Sequence, residues 1–191
     1  PAGMSTSLTT ADLQAAAAAL GCDLAAVQAV LQVESRGRGF DPASGRPVIL
    51  FEPHWFSRLT GGRFDASHPR LSYRRWGERP YPAQQAERWR QLEAAVALDR
   101  EAAWRATSWG LFQIMGFNHA LCGFAEPKDF AAAMAESESR QLAAFAAFVK
   151  AKGLAVPTTG RPMRRTTTTG AWRRPGRAPA GITRQLDLEG G

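Results

Sequence analysis

The chain has 191 residues, 45% of them hydrophobic, and a formal net charge of +7 at pH 7 with two cysteines and three histidines. Its size and apolar content suit one domain around a single sizeable core, and no run approaches the roughly 18 to 20 continuous apolar residues of a membrane span, so a soluble protein is expected. Two cysteines make no disulfide framework, and scattered histidines give no H-E-x-x-H spacing, so neither a zinc peptidase nor any other metal or cofactor is expected.

Residues 1–7 read as a tag remnant and leader, because Pro1, Ala2 and Gly3 precede Met4. No Lys or Arg precedes Arg36, so no charged region leads into an apolar one and a Sec signal peptide is not supported. Thr10 is placed to cap a first helix through Ala19 and Gly21 to end it, before Asp23 caps a second helix carrying Glu34 near its last turn. Along that helix Leu24, Val27, Val30 and Leu31 recur at helical spacing, which sets Glu34 on the apolar side. Hydrocarbon neighbours and the negative end of the helix dipole both disfavour an ionised carboxylate. A protonated acid near neutral pH is what cleavage of a glycosidic bond requires at its leaving oxygen. The alternative is a helix-end glutamate that reaches into water.

The glycine-rich stretch after Glu34 leads into P-V-I-L-F at 47–51, a β-branched run expected to pair as a small hairpin. Pro53 suits the first position of a helix that holds His54, Trp55 and Phe56 and stops at Gly61 and Gly62, with Glu52 at its entrance. Tyr73, Trp76 and Tyr81 lie in the following linker, where they suit either stacking on sugar rings or plugging the loop from below. A helix over 82–98 places Trp89, Leu92 and Val96 on one side, and Asp99 caps a shorter one through Thr107. Over 107–116, T-S-W-G-L-F-Q-I-M-G interrupts an apolar run with a polar start, a glycine, an amide and a thioether. His119 and Cys122 form a close pair best read as packing, both cysteines read as small buried thiols, and a single bridge between them stays open. Helices over 129–134 and 138–150 put Leu142, Phe145 and Phe148 at core spacing, and Gly153 closes the series.

E-S-x-G followed by S-x-G-L-F-Q-I-M resembles the paired signature of goose-type lysozymes and soluble lytic transglycosylases. With L-G-C-D-L-A-A-V-Q-A-V-L-Q-V-E-S before it and G-R-P-V-I-L-F-E-P-H-W-F between, the chain over 8–156 is similar to the N-acetylmuramidase domain of bacteriophage and prophage endolysins. That resemblance implies a mostly α, lysozyme-like fold with a small β-hairpin lobe, acting on peptidoglycan glycan strands between N-acetylmuramic acid and N-acetylglucosamine. It implies Glu34 as the acid and a second group to handle water, for which Glu52 is the candidate, with Asp41 and Asp65 in reserve and a plain helix N-cap as the alternative for Glu52. Ser108, Gln113 and the backbone of Ile114 resemble the parts that hold the acetamido sugar, Gly110 permits close approach, and Trp109 and Tyr81 complete the expected substrate contacts. A monomer is expected, made in the bacterial cytoplasm and acting at the cell wall after release through a holin-type pore. A lytic transglycosylase and a non-catalytic wall-binding module remain open as alternatives.

Residues 150–191 hold nine Lys or Arg against Asp187 and Glu189, so the whole +7 sits in this tail and the rest of the chain is neutral. Such a tail suits anionic envelope polymers, while specific nucleic-acid recognition lacks a motif. After Val156 the Arg, Thr, Pro and Gly mixture over 157–191 departs from the family's usual aromatic-rich helical segment and resembles the product of a frameshift.

Overall fold

The computed structural model describes residues 7–154 apart from residue 36. The tail over 157–191, and with it the expected frameshift origin and the expected contacts to anionic polymers, lies outside the described residues. In chain order the elements are α1 (Thr10–Leu20), α2 (Leu24–Glu34), β1 (Ile49–Phe51), α3 (Pro53–Leu59), α4 (Gln85–Leu98), α5 (Arg100–Arg105), β2 (Thr107–Trp109), β3 (Ile114–Met115), α6 (Pro127–Met134) and α7 (Glu138–Ala151).

Helix ends follow local chemistry, with small corrections to the sequence reading. Thr9, not Thr10, caps α1, because the Asp12 amide reaches the Thr9 hydroxyl at 3.3 Å while the Thr9 amide reaches the Asp12 carboxylate at 2.8 Å. Asp23 caps α2 through the Ala26 amide at 2.7 Å, and Asp99 caps α5 through the Ala102 amide at 3.0 Å. Helix α4 starts at Gln85 rather than Pro82, whose carbonyl accepts from the Arg88 guanidinium at 2.8 Å. Thr107 leaves α5 and opens β2.

The run at 47–51 finds its partner far along the chain rather than in a hairpin of its own. β1 pairs antiparallel with β2, Ile49 opposite Trp109 and Phe51 opposite Thr107, and β2 pairs with β3, so the sheet order is β1-β2-β3. Locally there is a lone bridge between Phe40 and Pro47. Strands this short make few ladder bonds, and the outer edge of β1 is completed by α4. The Gln85 amide accepts from the Ile49 N–H at 3.0 Å and donates to its carbonyl at 3.2 Å, taking the place of a neighbouring strand.

Beneath the sheet, Phe112 from the β2–β3 turn stacks on Phe145 of α7 with ring centroids 4.1 Å apart. Leu142, Phe145 and Phe148 of α7 join Phe51, Phe56 and Phe130 in one core, each buried phenyl contributing ~2 kcal/mol or more. Cys22 and Cys122 are free thiols, and burial pushes the Cys122 thiol up to about 12. The His119 Nδ1 lies 2.9 Å from the Phe124 carbonyl, and Cys122 is buried. Among the described residues no single helix is long and apolar enough to cross a membrane.

Candidate active site

Glu34 closes α2, and at 4% exposure it is the one charged side chain buried to this degree among the described residues. Val27, one face with it, is 2% exposed, and Val30 and Leu31 pack against the core. A carboxylate is costly to bury unless polar partners are supplied.

The chain leaving α2 is tied to the 107–116 segment through Val48. The Val48 amide donates to the Gly39 carbonyl at 2.9 Å, and its own carbonyl accepts from the Gly110 amide at 2.8 Å and from Gln113 Nε2 at 3.2 Å. Gln113 has φ +50°, a left-handed conformation that an amino acid with a side chain adopts at a cost of about 1 kcal/mol or more. Its amide secures that bend: Nε2 also donates to the Gly110 carbonyl at 2.8 Å, and the Ser108 hydroxyl donates to Oε1 at 3.0 Å. The Ser108 hydroxyl also lies 3.3 Å from the Leu50 carbonyl, so its single proton is shared between two acceptors. Ser108, Gly110 and Gln113 thus come together around Val48.

Trp109 and Ile114 face each other across the hairpin with side chains 3% exposed. The Trp109 indole N–H reaches the Trp104 carbonyl at 3.2 Å, and its ring meets Trp89 edge-on at 5.8 Å. Their side chains therefore brace the hairpin from the core.

Glu52 holds the N-cap position of α3, yet its carboxylate caps nothing. Its amide donates to the Ala106 carbonyl at 2.9 Å, and its side chain, 15% exposed, accepts a short hydrogen bond from the Tyr81 hydroxyl. Burial first, and then that bond to Glu52, raise the Tyr81 phenol well above its usual range, while burial first and then the Glu52 charge raise Tyr73. His54 Nδ1 lies 3.4 Å from the Glu52 carboxylate but is aligned for no hydrogen bond. Burial, with Arg58 nearby, pushes His54 down to about 4, so at neutral pH the contact joins a neutral ring to a carboxylate and is not an ion pair. Trp76, in the same loop, is 74% exposed and donates toward Tyr81.

The reserve carboxylates serve local structure. Asp41 accepts from Ser44 within its turn, and Asp65 binds Ser72 and Arg74; hydrogen bonds from those serines are the leading cause holding both below the usual range. Among the described residues no group of three or more His, Cys, Asp or Glu is gathered as a metal site. Sequence reading missed Gln141, a 1% exposed amide that reaches the 107–116 segment, although its spacing four residues before Phe145 sets it on the core face.

A mostly helical domain with a three-stranded antiparallel sheet, carrying a buried glutamate at a helix end, is the lysozyme-like architecture. Residues 23–162 match the N-acetylmuramidase family, and the chain belongs to that family. It is similar to a solved structure, the crystal structure of Burkholderia AP3 phage endolysin, with 43% identity and a TM-score of 0.72 over 79% of this chain and 57% of that one. The chain therefore spans little more than half the length of that protein. No curated protein matches it.

Proposed function

We propose that the chain is a peptidoglycan hydrolase of the endolysin type that cleaves the glycosidic bond between N-acetylmuramic acid and N-acetylglucosamine. The observation that carries this reading is Glu34, a carboxylate 4% exposed at the end of α2 in a chain whose residues 23–162 match the N-acetylmuramidase family. Glu34 acts as the general acid, passing its proton to the bridging oxygen as positive charge builds on the sugar carbon. Glu52 supplies the second carboxylate, as base toward water or as a stabilising charge, and the Tyr81 hydroxyl bonded to it supports that role by fixing its orientation.

Ser108, Gly110, Gln113 and the backbones of Trp109 and Ile114 frame the acetamido sugar, and Tyr81 lies beside it. The left-handed Gln113 supports this assignment, since strained backbone gathers at functional sites. The catalytic unit covers 8–156 and works as a monomer, with the basic stretch over 157–191 contacting anionic envelope polymers. Synthesis in the cytoplasm and release through a holin-type pore complete the proposal.

Digestion of purified peptidoglycan followed by mass spectrometry of the released muropeptides tests it. Products with new N-acetylmuramic acid reducing ends are expected. Products ending in 1,6-anhydro rings would replace the hydrolase by a lytic transglycosylase using the same acid, and intact glycan would rule out both.

A further inference from the structure

We infer that Gln141 is a positioning residue that sets the distance between the chain behind Glu34 and the 107–116 hairpin; this rests on the muramidase reading. Gln141 sits in α7 at 1% exposure, next to Leu142 and one turn before Phe145. A buried amide is tolerated there only when its partners are supplied. Oε1 accepts from the Leu111 amide at 2.7 Å, while Nε2 donates to the Met134 carbonyl at 2.8 Å and the Gly39 carbonyl at 3.3 Å. Both amide hydrogens and the carbonyl oxygen are used. One turn earlier on the same helix, Glu138 accepts the Gly39 N–H at 2.7 Å. Helix α7 therefore grips Gly39 by both its donor and its acceptor, and through the same glutamine it grips the turn that carries Gln113.

The glycines of the two motifs answer to this one side chain. A Cβ on Gly39 would overlap Gln141 Oε1 and stand 2.8 Å from Glu138 Cγ, and a Cβ on Gly110 would stand 2.6 Å from Gln141 Cδ. Two separate segments each give up a side chain at the point where the amide crosses between them. Gly39 follows Glu34 by one short loop, and Leu111 stands beside Gly110 and two residues before Gln113. Gln141 is thus the strut between the proposed acid and the proposed sugar-holding hairpin. Proton transfer is sensitive to displacements well under 1 Å, so loosening this strut slows the step in the bound complex more than it weakens binding.

The test uses the full chain on purified peptidoglycan, with release of reducing ends for kcat and KM and circular dichroism for folding. Gln141→Met keeps length and packing while removing all three hydrogen bonds. The expected result is a folded chain with kcat lowered at least tenfold and KM within threefold of native. A folded Gln141→Met with native kcat, or one that raises KM alone, overturns the proposal. Should Gln141→Met fail to fold, Gly39→Ala carries the same test, because it leaves the core face of α7 intact and displaces the amide. A tenfold loss of kcat is again expected, and native kcat in folded Gly39→Ala overturns the proposal. Absence of reducing ends from the native chain would overturn the hydrolase reading and the strut together, whereas retained kcat in the variants would remove the strut alone.

Discussion

Two carboxylates, Glu34 and Glu52, stand in opposite settings. Glu34 ends a helix, 4% exposed on a face it shares with Val27, Val30 and Leu31. Glu52 begins one, with a phenol donating to its carboxylate, a neutral histidine 3.4 Å away and a second tyrosine in its field. The Tyr81 hydroxyl fixes where the Glu52 carboxylate points. In the proposed reaction the two carboxyl groups have different roles, and α2 and the Tyr81 loop give them different surroundings.

That contrast can be broken by substitution. Glu34→Gln is expected to lower kcat by about 10³-fold or more while the melting temperature holds or rises, since the amide is easier to bury than the acid. Glu52→Gln should cost about 10²-fold and Tyr81→Phe about tenfold, because the phenol orients the carboxylate without itself moving the proton. Reducing-end assays rank the three, and a Tyr81→Phe loss equal to that of Glu34→Gln would erase the proposed division of labour.

The surroundings of Glu52 also set a pH dependence of stability. His54 is pushed from 6.5 to about 4, so between those values the unfolded chain takes up a proton that the folded chain refuses. Stability is therefore full above pH 6.5 and falls as pH drops toward 4, by ~2 kcal/mol once a shift worth ~3 kcal/mol is discounted for solvent screening of a half-buried ring, with urea unfolding as the measure. His54→Gln should flatten that stretch of the curve; an unchanged slope would remove His54 as its source. Asp12 and Asp65, lowered from 3.8, lose their contributions only at more acid pH and do not overlap this window. The smallest effect is expected at Trp76, 74% exposed: Trp76→Ala should raise KM about threefold through lost stacking, with kcat and melting temperature unchanged.

Local signals in the sequence were legible and distant pairings were not. Asp23, Asp99, Pro53 and Gly21 mark helix ends by their own chemistry, and the spacing of Val27, Val30 and Leu31 placed Glu34 on the buried face. Three residues of β1 carry no sign that their partner lies at 107–109, so the run reads as a local hairpin. The bond between Tyr81 and Glu52 depends on how a long loop returns, which no periodicity encodes. Gln141 was hidden for another reason: glutamine in a helix reads as solvent-facing, and only its partners in two other segments make burial tolerable.

The most direct test measures, on one preparation of purified peptidoglycan, both sedimentation of the protein with the polymer and release of reducing ends, for the native chain and for Glu34→Gln. Native protein that binds and cleaves beside a folded Glu34→Gln that binds and releases no reducing ends is the result expected. Reducing ends released by Glu34→Gln at the native rate would contradict the assignment of the acid.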